Sequence, residues 1–513
     1  MKAITKNTLF YGDNLEMMRK YIGDETIDLC YIDPPFNSKR SYNQIYNNLG
    51  KEDKAQAQAF TDTWTWDTQA IEGFEAITHN QHGLYTKQSI ALIIGLVNVL
   101  GKGSLLAYLV SMTQRVAEIH RVLKPTGSFY FHCDPTASHY LKLVLDSVFV
   151  PHGGDFRNEI IWSYRTTLKV PKYHFGRDHD VVLYYSKSDI CQFHPDRTDF
   201  PVSEKTLKRW AKYADKNGFV SNKHFAGSTS TIIDTSDETK GFYINQGIPR
   251  DVWDISIITG GNKENLGYPT QKPEALLERI IKASSNEGDT ILDCYCGCGT
   301  SITVAQRLNR RWIGIDITYQ AISVILKRLT ESFGDDLIKT IDLMGQPKDI
   351  EGARALATKK DDRLRKEFEK WAVLTYSNNL AIVNDKKGAD EGIDGTAFIQ
   401  ANYTDYKQII FSVKSGRNIG IDMVRSLGHV VTKEDAVIGI LITLEEPTAP
   451  MIKEARSTMP PFQSELHPQK FDRLQIVTVK QILDGERLNV PMTHDVLKKA
   501  KAQSSDKQLG LEM

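Results

Sequence analysis

The sequence predicts an α/β chain: a mostly parallel sheet with helices on both faces, interrupted by a polar insert, and a smaller α/β domain towards the C-terminus. Three observations carry this. Apolar strand-like runs alternate with helical patterns, which favours parallel strands joined by crossover helices. One strand ends in a glycine-rich loop that opens a helix, over residues 290–308. A polar break at Gln346-Pro347-Lys348 separates this pattern from a second one of the same kind. The length of 513 residues suits two to four domains at roughly 150 residues each.

Taken in order, Ile27 to Ile32 reads as a strand, closed by Asp33-Pro34-Pro35-Phe36. Leu105 to Leu123 has helical spacing and ends at Lys124-Pro125-Thr126-Gly127, a stop and a turn, before a strand from Ser128 to His132. From about 165 to 250 the periodicity weakens, and Trp210, Tyr213, Phe219, Phe225 and Phe242 interleave with Lys and Arg. Strands follow at Thr290–Asp293 and Arg311–Ile317, with a helix at Ser301–Leu308 between them. After the break comes a charged helix, then strands at Gln408–Val413 and Ala436–Leu444. The expected domains are therefore 1–345 and 346–495, with a fraying tail at 496–513. The first divides into halves of about 1–188 and 248–345 around an insert at about 189–247.

Composition excludes several classes. Apolar residues at 41% and charged residues at 25% match an ordinary folded chain and argue against global disorder. Sixty-four Lys and Arg balance 64 Asp and Glu, so any polyanion must be held by a local basic surface rather than by net charge. Six cysteines are too sparse for a disulfide framework and suit a reducing cytoplasm. Met1 to Phe10 has no apolar signal core. The greasiest stretch, Ile90 to Leu100, contains Asn98 and falls short of the roughly 20 residues of a membrane span, so no membrane partner is expected.

The loop Asp293-Cys294-Tyr295-Cys296-Gly297-Cys298-Gly299-Thr300 lies between a strand and a helix N-terminus. Glycines there admit a ligand close to the backbone. Asp316 lies 23 residues beyond Asp293, at the end of the next strand, where an acid suits the two hydroxyls of a ribose. The pattern fits a nucleoside cofactor better than NAD, because it is not G-x-G-x-x-G. Cys294, Cys296 and Cys298 alternate along the chain without C-x2-C spacing or a partner His, so small residues in a tight loop is the preferred reading over zinc.

Asp33-Pro34-Pro35-Phe36 has a plain reading, a strand stop with an acid cap. It also has a chemical one. Two prolines hold the backbone rigid with one carbonyl exposed, and the carboxylate beside it makes a pair of acceptors. An exocyclic amine has two N–H donors, so the pair can hold an amino group with its lone pair turned to an electrophile. Phe36 offers a face for stacking a base.

Together these segments resemble the β group of amino-methylating DNA methyltransferases, which use S-adenosylmethionine (AdoMet) and place the catalytic tetrapeptide before the cofactor loop. Further matching stretches are Phe10-Tyr11-Gly12-Asp13-Asn14, His120 to Ser128, Asn158 to Trp162, His179 to Tyr185 and Tyr268-Pro269-Thr270-Gln271-Lys272-Pro273. The resemblance spans about 7–345. Its loop usually reads D-P-F-x-G-x-G-T, and Cys294 and Tyr295 depart from that. It implies an AdoMet-methyltransferase sheet in which Asp33 and the Pro34 carbonyl hold the amine, with Pro35 keeping the turn rigid and Phe36 stacking on the flipped base. It implies AdoMet contacts at Asp13, Lys272, Asp293, Cys296, Gly297, Gly299, Thr300 and Asp316. Asp rather than Ser at the first position favours adenine N6; cytosine N4 stays open as the alternative. The insert would be the target-recognition region, with Lys205, Lys208, Arg209, Lys212 and Lys223 available for phosphates. Double-stranded DNA is the implied partner, in a prokaryotic restriction-modification or defence system. A homodimer, or a separate restriction or translocase subunit, stays open, since no Walker A loop is present.

Gly388 to Gly395 precedes a strand, and Ile409 to Lys414 lies on the next. Asp394 and Lys414 on adjacent strands suit a Mg²⁺ site for phosphodiester cleavage, or else a turn acid and a half-exposed strand lysine. Residues 360–490 resemble the Mrr-like branch of the PD-(D/E)xK nuclease fold, with Phe368-Glu369-Lys370-Trp371 on its leading helix. Ser412 stands where that family has an acid or Gln, so the metal site would be degenerate. A bifunctional enzyme that also cuts DNA remains an alternative to a DNA-binding or oligomerising module.

Overall fold

The computed structural model describes residues 4–35, 40–44, 57–62, 64–164, 172–173, 175–176, 178–196, 200, 202–221, 241–244, 246–247, 249–259, 261–268, 270–358, 362–378, 380–384, 392–400, 406–463, 468–488 and 490. Phe36, Lys223, Phe225, Pro269, residues 388–391 and the 496–513 tail lie outside this set.

The strands in chain order are β1 (Thr8–Tyr11), β2 (Ile27–Ile32), β3 (Arg40–Gln44), β4 (Ala57–Asp62), β5 (Leu123–Cys133), β6 (Asp155–Ser163), β7 (His179–Ser186), β8 (Phe219–Ser221), β9 (Gly241–Tyr243), β10 (Val252–Asp254), β11 (Thr290–Asp293), β12 (Arg311–Asp316) and β13 (Asp342–Met344). Nine of them form one sheet in the order β10-β6-β7-β5-β2-β11-β12-β1-β13. Only β7 runs antiparallel to its neighbours, β5 and β6. The other pairs are parallel. β1, β2 and β11 are buried along their whole length, which is why they read as continuous apolar runs rather than alternating ones.

The expected stop at Lys124–Gly127 is instead absorbed into β5. Ile27 pairs with Leu123 but Leu29 pairs with Ser128, so four residues of β5 bulge opposite Asp28. Asp28 stabilises this arrangement. It takes the Lys124 ammonium at 2.7 and 2.9 Å and accepts the Thr290 N–H at 2.9 Å, tying three strands together.

Beyond this sheet, helix Asp362–Tyr376 leads into a five-stranded sheet: β14 (Ile382–Val383), β15 (Gly395–Gln400), β16 (Tyr406–Lys414), β17 (Ile438–Thr443) and β18 (Leu474–Thr478), in that order. β14, β15 and β16 are antiparallel; β16, β17 and β18 are parallel. Phe368 and Trp371 of the leading helix join the same apolar cluster as Ile322 and Ile325 of helix Tyr319–Phe333. Buried Glu367 accepts the Tyr319 N–H at 3.0 Å, and Thr375 Oγ1 donates to the Tyr319 hydroxyl at 3.0 Å.

Candidate active site

Strand order decides where the chemistry sits. β2 and β11 are neighbours, with Cys30 opposite Leu292. β12 and β1 follow. Four acids therefore leave four adjacent carboxyl ends: Asp33, Asp293, Asp316 and Asp13. All four line one cavity of about 770 Å³, a size that suits a small-molecule ligand. Pro34, Pro35, Lys272, Cys296, Gly297 and Thr300 also line it.

Each acid is held differently. Asp13 caps helix Asn14–Tyr21, accepting the Glu16 N–H at 3.1 Å, and its other oxygen meets Arg115 Nη2 at 2.7 Å. Asp293 accepts from the Ser301 hydroxyl and from the Tyr295 N–H at 3.0 Å; burial still pushes its carboxyl up to about 7. Asp316 accepts from the Thr318 N–H and hydroxyl, both at 2.9 Å, and from the Gly297 N–H at 3.0 Å, and burial raises it to about 6. Asp33 is ion-paired with Lys272 Nζ. The lysine expected to reach towards the cofactor thus contacts the tetrapeptide acid.

The loop itself turns on two left-handed glycines. Gly297, at φ +49°, brings the backbone against the cavity, and a Cβ there would meet the Tyr268 ring at 3.4 Å. Gly299, at φ +74°, is not among the cavity-lining residues; a Cβ would meet Ile325 at 2.8 Å, so it shapes the entry to helix Thr300–Arg307. Cys294, Cys296 and Cys298 are buried free thiols. Thr300 accepts from buried Arg328 at 3.1 Å.

Several residues at the site have no counterpart in the expectations above. Buried Arg115 also donates to Asn14 Oδ1 at 2.6 Å, and Asn14 donates to the Cys294 carbonyl at 2.7 Å. Beside Asp33, the fully buried His132 links Tyr31 and Asp180. The available signal was a charged or titratable residue inside an apolar run: Arg115 in its helix, His132 in its strand.

Residues 27–327 match the family model described as DNA methylase, for N6 and N4 methyltransferases, which is more than half of the chain. The chain belongs to the DNA methylase family. This methylase is 27% identical to the DNA adenine methyltransferase YhdJ of Escherichia coli K12 over 322 residues, covering 63% of this chain and 82% of YhdJ. It is 31% identical to the type II methyltransferase M.HpaI of Haemophilus parainfluenzae over 226 residues, 44% of this chain and 60% of that protein. A DNA modification methylase structure from Thermus thermophilus, complexed with S-adenosyl-L-methionine, aligns over 66% of this chain and 99% of its own at 16% identity and a TM-score of 0.34. The methylase acts on DNA.

Residues 364–463 match the restriction endonuclease family model. There Asp394 lies just before β15 and Lys414 ends β16, with Gly395 opposite Phe411. Asp394 Oδ2 accepts the Val413 N–H at 2.7 Å, its Oδ1 lies 3.3 Å from Lys366 Nζ, and Lys366 also pairs with Glu369 at 2.7 Å. Ser412 donates to the Gly392 carbonyl at 2.8 Å, and Lys414 faces a separate small cavity of about 250 Å³. Among the described residues, Asp394 and Glu369 lie side by side but share the Lys366 ammonium, Asp394 Oδ2 is taken by the Val413 N–H, and Ser412 brings no carboxylate. With a lysine between the two carboxylates and a serine at the usual acid position, no cleavage step is derived from this donor set.

Proposed function

We propose that this methylase modifies adenine N6 at specific sites in double-stranded DNA, in a prokaryotic cytoplasmic restriction-modification or defence system. The observation that carries the reading is the shared cavity, which places the tetrapeptide acid beside three carboxylates suited to a nucleoside. Asp316 holds the ribose hydroxyls, and the Gly297 turn lets the backbone approach. Asp293 and Asp13 provide acceptors for cofactor N–H groups. AdoMet, when bound, supplies an electrophilic methyl on a sulfonium.

The chain's own contribution is alignment. Asp33 and the Pro34 carbonyl accept the two N–H groups of the target amine, which directs its lone pair into the cavity. Pro34 and Pro35 keep that pair of acceptors rigid. Phe36 stacks on the base after it leaves the helix, a step that costs a few kcal/mol. The deciding experiment is transfer from labelled AdoMet to unmethylated bacterial DNA, with the product nucleoside identified by mass spectrometry. N6-methyladenine is expected; N4-methylcytosine would overturn the base assignment.

The raised carboxyls give this reading a pH signature. Between about pH 4 and the raised values of about 6 and 7, the folded chain keeps protons that the unfolded chain has shed. Asp316 and Asp293 therefore favour the free fold at acid pH, and that contribution is lost as pH rises through 6 to 7. Ionised Asp316 is the form that accepts two hydroxyls. AdoMet binding should tighten several-fold from pH 5.5 to 7.5, and Asp316→Asn should both weaken it and flatten the dependence, as measured by calorimetry. An unchanged pH dependence in Asp316→Asn would remove this residue from the ribose contact.

A further inference from the structure

The amine that Asp33 holds must lose a proton once it is methylated, and the structure contains a buried chain of groups leading away from that carboxylate. His132 is fully buried near the end of β5. Its Nδ1 lies 2.9 Å from the Tyr31 hydroxyl and 4.0 Å from Asp33 Oδ1. Its Nε2 lies 3.2 Å from Asp180 Oδ2, on β7. Trp162 of β6 closes one side edge-on, with ring centroids 5.5 Å apart.

We infer that His132, oriented by Asp180, is the positioning residue that takes up through Asp33 the proton released by the target amine. The inference rests on the methyltransferase reading above. With Nε2–H donated to Asp180, the neutral ring turns the Nδ1 lone pair towards Tyr31 and Asp33. Tyr31 suits both states of the ring: its hydroxyl donates to a bare Nδ1 and accepts from a protonated one. Burial and the neighbouring acids keep that hydroxyl protonated, raising it well above the ordinary tyrosine value. Burial also pushes the Asp180 carboxyl up, but His132, Lys272 and Tyr164 together bring it below the usual value, so an anion stands ready behind the ring.

In the transfer itself, the nitrogen lone pair forms the N–C bond while the C–S pair returns to sulfur, leaving a positively charged amine. One N–H bond then breaks with its electron pair staying on nitrogen. The proton passes to the Asp33 carboxylate and on to His132 Nδ1, giving an imidazolium paired with Asp180. Product release opens the site, and the proton leaves to water. The 4.0 Å gap between Asp33 and His132 exceeds a hydrogen bond, so the second transfer needs the carboxylate to move towards the ring. The ionisable groups around the ring are Asp33 and Tyr31 from the β2 side, Asp180 from β7 and Tyr164 beyond β6. Lys272 comes from the segment before helix Glu274–Ser284, and Asp293 lies beyond Tyr31.

The test is single-turnover methyl transfer by the full chain over pH 5.5 to 9, with AdoMet and DNA affinities measured in parallel. The wild type should show a rate that climbs with pH, as transfer through a proton-accepting relay requires. His132→Gln should lower the plateau about 10- to 100-fold and flatten that limb, with both affinities within about twofold. Asp180→Asn, which keeps the shape of its side chain, should shift the limb and lower the rate less; it decides the matter if thermal unfolding shows His132→Gln to be misfolded. An unaltered limb and plateau in a folded His132→Gln, or in Asp180→Asn, would overturn the inference. Failure of the underlying reading looks different: Asp33→Ala would then remain active whatever His132 does.

Discussion

Asp33→Ala should lower methyl transfer by about a thousandfold or more while leaving AdoMet bound within a few-fold of wild type. The asymmetry follows from the geometry. Asp33 is one of two acceptors proposed for the amine, and the substitution leaves the Pro34 carbonyl alone to orient it. The groups proposed to face the cofactor, at Asp13, Asp293, Gly297 and Asp316, belong to other strand ends and keep their own hydrogen bonds. Lys272 loses its carboxylate but stays 3.4 Å from the Thr270 carbonyl. Stopped single-turnover assays and calorimetric titration of AdoMet read the two effects separately. Full activity in the variant would move the catalytic centre away from the tetrapeptide.

Arg115→Leu should be the most destabilising change at the site, at about 3 kcal/mol. The guanidinium serves Asp13, Asn14 and Ser111 at once, at 2.7, 2.6 and 2.7 Å. Removing it strands the buried Asn14 oxygen and leaves Asp13 without its cation. The Asp13 side chain is 31% exposed, so solvent recovers part of that cost and the figure sits at the low end for a buried pair. Urea unfolding with an unchanged m-value should show the loss, and AdoMet affinity should fall with it because Asn14 anchors the Cys294 carbonyl. A loss below about 1 kcal/mol would mean that Asp13 and Asn14 find other partners.

Legibility from sequence followed the range of the interactions. Ile27–Ile32 was readable to the residue because a fully buried parallel strand is a largely apolar run, here interrupted only by Asp28 and closed by Asp33 and two prolines. The acids at 33, 293 and 316 were readable because each follows such a run. Gly297 and Gly299 were readable as a pair but not separable, since one faces the cavity and the other faces Ile325. Lys124–Gly127 read as a turn and became a bulge, because Asp28 on another strand holds it. Arg115 and His132 stood out only as polar residues inside apolar runs, and their roles, like that of Asp180, were not legible for the same reason: their partners lie roughly fifty to a hundred residues away, and no local periodicity encodes them. Phe36 and much of the insert lie outside the described residues.

The pairing of β2 with β11 has a consequence for biosynthesis. The tetrapeptide strand leaves the ribosome some 260 residues before its neighbour, and β1 waits still longer for β12 and β13. Until then the nascent chain carries buried-type strands with hydrogen-bonding edges uncovered, one on β2 and both on β1, an invitation to chaperones and to aggregation alike. The same delay acts as a safeguard. Asp33 meets the cofactor loop only after that loop has been synthesised, so a truncated translation product carrying the tetrapeptide alone has no means of marking the genome.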